Sequence, residues 1–236
     1  MLKLVTALDV ETLPISPSSL APRVICCSFS FGTRSWVTGN SKEENLKGDI
    51  RKALMGHVVG HNIAFDLMSI INTFPSLKPL VWKAYAEHRV HDTIVREKLI
   101  HLGTHGSIDA LAGKRIDYSL SGLSNDRLRK SLEDDKSSGV RIRYGEMDGV
   151  PAHAYPREFY DYSLQDAEVT FRLYQSQEKK SELFKNEWLH VNMAFCLYFS
   201  TCRGLKVDKN KVLDLWDKTK AEIHLDNYPL LKSSGI

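Results

Sequence analysis

Apolar and polar positions change period along the chain, and the change marks out the elements. Residues 2–10 and 23–31 are rich in β-branched and aromatic side chains, and residues 34–38 follow the second run across Gly32-Thr33. Such runs bounded by turn residues predict three successive strands with an antiparallel opening. From residue 42 to 55 the apolar positions Leu46, Ile50, Ala53 and Leu54 recur at helical spacing. The short run His57-Val58-Val59-Gly60 predicts a buried strand, and Asn62 is a natural N-cap for a helix over 63–72. Further helices are predicted over 82–88, 93–102, 121–133 and 156–179. Strands first and helices after, with one strand-helix unit in the middle, predict an α/β fold with a mixed sheet flanked by helices.

Residues 132–155 are polar and punctuated by glycine, with Asp134, Asp135, Lys136, Arg141 and Arg143, which predicts a mobile loop. After Lys180 an amphipathic stretch runs to Arg203, followed by Gly204-Leu205-Lys206-Val207-Asp208 and a helix from 209 to about 227. Its apolar positions Trp188, Val191, Phe195, Leu197 and Phe199 exceed what one docked helix face needs. The expected organisation is therefore a catalytic unit over 1–180 and a C-terminal helical extension over 181–236 that begins a connection to something larger.

Composition adds little to this picture. A chain of 236 residues buries a substantial core, and 42% apolar with 26% charged residues is ordinary for a globular protein. The formal net charge of +3 permits a polyanionic partner without requiring one. Cys26 with Cys27, and Cys196 with Cys202, lack the spacing of a zinc or redox motif and read as buried reduced thiols. The opening run meets acid at Asp9, too early for a signal peptide, and the apolar stretch 193–199 is too short to span a bilayer. No membrane partner and an intracellular, cytoplasmic setting are the expectations.

Three acidic elements carry candidate chemistry. Asp9 and Glu11 stand at i and i+2 of the first strand, so their side chains share one face, roughly 7 Å apart along the chain. By themselves they read as a solvated strand end rather than a metal site. Their position counts for more, because carboxylates interrupting an interior strand are costly unless a metal or donors satisfy them. Asp66 falls in the first turn of the helix after Gly60, where favouring the helix dipole is a sufficient reason for an acid. Tyr162 and Asp166 are i and i+4 on one helix and hence neighbours, a spacing common on ordinary helices.

Taken in order, Asp9-Val10-Glu11-Thr12, Asn62 with Asp66, and Tyr162 with Asp166 resemble the three exonuclease motifs of the DEDD superfamily, in its tyrosine-bearing branch. The resemblance covers about residues 1 to 180. The histidine-bearing branch would need His where this chain has Asp161. Residues 162–170 look most like the proofreading domain of family A DNA polymerases, and Gly204-Leu205-Lys206-Val207-Asp208 is similar to the segment that precedes a polymerase thumb. The resemblance implies a ribonuclease H-like fold and 3′→5′ removal of nucleotides from single-stranded DNA, with a polymerase domain as a possible neighbour in a longer chain. It implies two divalent cations, Mg²⁺ or Mn²⁺, held by Asp9, Glu11, Asp66 and Asp166, with Tyr162 orienting the nucleophile. Thr12, Leu13 and Asn62 become candidate substrate contacts, with Ile15 beside Leu13 as a base wedge. Arg127, Arg129, Lys130, Arg141 and Arg143 either track the strand or form a solvated face. A ribonuclease D-like RNA exonuclease shares the same acids and tyrosine, and a non-catalytic module on the same fold is a further alternative.

Overall fold

The computed structural model describes residues 4–105, 116–130, 139–204 and 208–222. Five strands form one sheet: β1 (Val5–Thr12), β2 (Val24–Ser30), β3 (Ser35–Gly39), β4 (His57–Gly60) and β5 (Val90–Asp92). Their order is β3-β2-β1-β4-β5. The first three strands run antiparallel as expected, whereas β4 joins β1, and β5 joins β4, in parallel. Helices follow as α1 (Glu43–Met55), α2 (Ile63–Thr73), α3 (Lys78–Ala86), α4 (Thr93–His105), α5 (Leu120–Leu123), α6 (Arg157–Glu178), α7 (Glu187–Arg203) and α8 (Lys209–Glu222). This is the ribonuclease H-like mixed sheet flanked by helices.

Alternation along β1 divides the core. Leu8 and Val10 face one layer, where they pack with Leu46, Ile50, Leu67, Val81 and Phe195 from α1, α2, α3 and α7. Ala7 faces the opposite layer and packs with Phe171 and Tyr174 of α6. Asp9 and Glu11 share the parity of Ala7, so the sheet turns both toward α6.

Several elements differ from the sequence reading. β5 spans three residues, too few to announce itself by alternation. The helix expected over 82–88 begins at Lys78, because Pro79 fits the first turn, where its missing N–H is not needed. The helix expected from Ser121 is one α-helical turn followed by a π-turn over Ser124–Leu128, ending where Arg129 takes a left-handed conformation. The expected mobile loop is, from residue 139 on, a packed chain of short 3₁₀ turns. Val140, Tyr144, Met147 and Tyr155 are buried there against Ile25, Val37 and Phe159. Four apolar residues spaced through a polar segment suffice to hold it down. Residues 2–3, 131–138 (with Leu132, Glu133, Asp134, Asp135 and Lys136) and 205–207 fall outside the described residues.

Packing also continues beyond residue 180. One compact unit runs to Cys202 and a second from Arg203. Val191 and Phe195 of α7 are buried in the main core, and Phe195 stacks on Tyr85 with centroids 4.2 Å apart. Tyr198 donates to the Leu20 carbonyl at 2.6 Å. Trp188, Leu189, Met193 and Leu197 remain exposed. In the second unit, α8 is capped by Asp208, whose carboxylate accepts the N–H groups of Asn210 and Lys211. Among the thiols, Cys26 and Cys27 are buried as expected, while Cys196 is exposed because it lies on the outer face of α7. No described helix is long and apolar enough to cross a membrane.

Candidate active site

The sheet and α6 bring three of the sequence-predicted acids together. Carboxylate oxygens of Asp9, Glu11 and Asp166 all lie within 4.8 Å of one another. The first two come from alternate positions of β1 and the third from the helix packed on that face. Burial pushes the pKa of Asp9 and Glu11 well up, and neighbouring acids push further: Asp66, Glu11 and Asp166 on Asp9, and Asp166 on Glu11. Burial raises Asp166 to about 7. Buried like charges at this range resist ionising together unless a cation joins them. The oxygen-only donor set suits a hard divalent ion, so these residues fit the metal their chemistry implies.

Asp66 stands apart from this trio and is held differently. β4 pairs with β1 only from Val5 to Ala7, because the chain turns away after Gly60. The edge of β1 beyond Ala7 is open there, and the Asp66 carboxylate accepts the N–H of Val10 at 3.1 Å. Burial raises its pKa to about 8. The turn that delivers Asp66 depends on Gly60, where a Cβ would approach Ile63 to 2.8 Å. Asn62 then takes a left-handed conformation at φ 67, and its side chain makes no cap hydrogen bond. The expected N-cap is thus corrected: the cap comes from Asp92 on the neighbouring strand. The Asp92 carboxylate accepts the N–H groups of Asn62 (3.4 Å), Ile63 (3.0 Å), Ile94 (2.8 Å) and Val95 (3.3 Å). Nothing local in His91-Asp92-Thr93 signals such a role, because only the parallel pairing of β4 with β5 puts Asp92 beside α2.

Tyr162 lies beside the acids, and its pKa is raised by burial first and then by Asp166, Glu11 and Asp9. Behind it, Tyr144 is fully buried with its ring centroid 6.2 Å from that of Tyr162, and it donates to the Phe159 carbonyl at 2.7 Å. Tyr144 was not anticipated, since it lies in the segment expected to be mobile. Of the candidate substrate contacts, Thr12 donates to the Leu13 carbonyl at 2.8 Å. Leu13 is partly packed against the cluster around Tyr144, whereas Ile15 is 57% exposed and Asn62 is also exposed.

The basic candidates separate. Arg127 forms a two-pronged ion pair with buried Glu97, and Arg143 pairs with Glu146 at 2.9 Å, so both guanidinium groups are engaged within the fold. Arg141 is exposed, and its charge lowers the pKa of Asp9, Glu11 and Asp166. Among the described residues, its charge is the cationic one that acts on all three acids of the trio.

A second polar cluster escaped the sequence reading. Glu187, which opens α7, receives the Asp92 N–H (3.3 Å) and Arg96 Nε (2.7 Å), and lies 3.1 Å from His91 Nδ1. Arg96 also pairs with Glu178, with its guanidinium carbon 4.2 Å from the Tyr174 ring centroid. Glu187 keeps its pKa low because His91 and Arg96 outweigh burial. No local spacing links a helix start near residue 187 to a strand near residue 91.

A sequence model of a family described as 3′-5′ exonuclease matches residues 2–182. The chain belongs to this 3′-5′ exonuclease family. No curated protein matches the sequence. Among solved structures, the exonuclease is similar to Brucella melitensis NrnC, with a TM-score of 0.59, 15% identity and coverage of 86% of each chain. It is similar to the catalytic core of Trypanosoma brucei RRP6, with a TM-score of 0.56 and 11% identity over 82% of this chain and 46% of that one. The match to Escherichia coli RNase D has a TM-score of 0.54 and 13% identity over 83% and 45% of the two chains. The exonuclease therefore spans about half the length of the RRP6 and RNase D chains, and at these identities the likeness is one of fold.

Proposed function

We propose that this exonuclease uses Mg²⁺ or Mn²⁺ to release nucleoside 5′-monophosphates, one at a time, from the 3′ end of single-stranded DNA. The observation that carries the reading is the convergence of Asp9, Glu11 and Asp166 oxygens within 4.8 Å. In this reading Asp9, Glu11 and Asp166, together with Asp66, would hold two divalent ions. Such ions, when bound, neutralise charge on the reacting phosphate and acidify the attacking water. Tyr162, whose raised pKa keeps its phenol protonated, orients the nucleophile by hydrogen bonding and does not act as a free base. Arg141 meets the phosphate of the terminal nucleotide. Thr12 and Asn62 contact the terminal nucleotide, while Leu13 and exposed Ile15 wedge against its base.

The DNA preference and a place beside a family A polymerase rest on the resemblance of residues 162–170 and of the Gly204–Asp208 stretch. A second reading, an RNA 3′ exonuclease, is favoured by likeness of fold to RNase D, which is described as an exoribonuclease involved in structured RNA processing. Digestion of matched DNA and RNA oligonucleotides, with and without a chelator, decides between them. Faster release of deoxynucleotides supports the first reading, and preference for RNA supports the second. Undiminished digestion of either under thorough chelation would overturn the metal-dependent reading.

A further inference from the structure

We propose that Asp92 is a positioning residue for the active site, fixing the Asp66 carboxylate by capping two helices at once. The inference rests on the proposed role of Asp66 in holding metal. It is carried by the geometry around one buried side chain. Asp92 is 3% exposed and both of its carboxylate oxygens accept backbone N–H groups. Oδ1 accepts Ile94, Val95 and Asn62, and Oδ2 accepts Ile63. The bonds to Ile94 and Val95 form an ordinary N-cap of α4 two and three residues on. Those to Asn62 and Ile63 reach across the sheet to α2, which has no side-chain cap of its own.

The reach matters because of what α2 carries. Asp66 sits in the first turn of α2, within four residues of both captured N–H groups, and its far end is tied to Val10 between Asp9 and Glu11. The first turn of a helix has no intrahelical acceptors for its N–H groups, and an end left uncapped frays first. Without Asp92, the turn bearing Asp66 would keep its apolar packing on β1 and the single bond to Val10, but the N–H groups that start it would lose their acceptor. With it, Asp66 is held from both sides, as is common for groups that orient metal ligands. Asp92 is itself held from behind, through its N–H to Glu187 and the Glu187 contacts to His91 and Arg96.

The two duties of Asp92 can be separated by substitution. Asp92→Ser keeps a short hydroxyl able to cap α4 but unable to reach α2. Asp92→Asn keeps volume and the Oδ1 bonds, but sets an amide donor against the Ile63 N–H. Both variants are expected to raise the Mn²⁺ concentration at half-maximal rate by about tenfold, with the KM for the oligonucleotide unchanged. Calorimetric Mn²⁺ titration of the same proteins is expected to show the same weakening without substrate. A residue that served only folding would lower the melting temperature and leave the Mn²⁺ dependence of the folded fraction untouched, and that result overturns the proposal. Should both variants fail to fold, hydrogen exchange of the wild-type protein carries the test. Mn²⁺ should then slow exchange of the Asn62 and Ile63 N–H groups, and exchange indifferent to Mn²⁺ overturns the proposal. Wild-type protein without metal-dependent digestion would instead defeat the functional reading itself.

Discussion

The Asp66 carboxylate accepts the N–H of Val10 at 3.1 Å, so the acid on α2 is bonded to the backbone between the two acids of β1. That bond helps the ionised form, yet burial outweighs it and lifts the pKa to about 8, with Asp166 at about 7. Metal-free folded protein thus binds protons that the unfolded chain, titrating near 4, has released. Stability should fall as the pH rises from about 4 to about 8. Glu187 and His61 act in the opposite sense: the lowered pKa of Glu187 confines its effect to more acidic conditions, and His61, which burial lowers to about 4, offsets part of the fall below pH about 6.5. Melting in the presence of chelator should therefore occur at higher temperature at pH 5 than at pH 8, and Mn²⁺ should reverse the order. A chelated protein that becomes steadily more stable across this range contradicts the assignment.

Asp9→Ala and Asp166→Ala should abolish digestion while leaving the metal-free fold as stable as before or more so, because each removes a repelled buried charge. Thermal melts beside activity assays check both halves. Wild-type turnover in either variant would sink the metal assignment.

Tyr162→Phe should slow hydrolysis by about 100-fold through a misplaced nucleophile and retain metal affinity. Asp166→Asn should weaken both. Calorimetry on the two variants separates the roles, and equal loss of metal binding would make Tyr162 a packing residue for α6.

Arg141→Ala should raise the KM for a single strand and make its salt dependence shallower by about 0.7 in the logarithmic slope, as loss of one phosphate contact requires. Arg143, exposed and already paired with Glu146, provides the comparison. An Arg143→Ala variant with the larger effect would show that the strand takes another path.

Much of this site was legible because its signals are local. Asp9 and Glu11 share a face by strand parity, and Tyr162 and Asp166 share one by helical spacing. The Val58-Val59-Gly60 run with its turn announced where Asp66 would emerge. What sequence did not reveal depends on contacts made across the fold. Asp92 caps a helix some thirty residues earlier only because a three-residue strand pairs with β4. Tyr144 supports Tyr162 from a segment whose polar composition concealed four buried anchors. Asn62 matched the N-cap composition and was still bypassed, because its left-handed backbone turned the side chain outward.

Residue 182 ends the family match, but Glu187, Val191 and Phe195 are buried in the same unit as the acids. Ending the chain at Lys180 would leave Arg96 buried without Glu187, a loss of about 3–5 kcal/mol for a broken buried pair. Uncovering the core beneath Val191 and Phe195 adds about 1.5–3 kcal/mol for each. Against a typical total of about 5–15 kcal/mol, that truncation should melt far earlier or lose its cooperative transition, whereas a chain ending at Gly204 should keep it. Equal melting of the two chains would mean that α7 is dispensable to the exonuclease unit.

β1 lies in the middle of the sheet order, and its two acids sit on the stretch that pairs with β2. Central strands are among the last parts of a protein to open, while loops and termini open first. Heat should therefore spare catalysis until the whole unit gives way, so that the thermal inactivation curve and the unfolding curve coincide and enzyme activity becomes a gauge of global integrity.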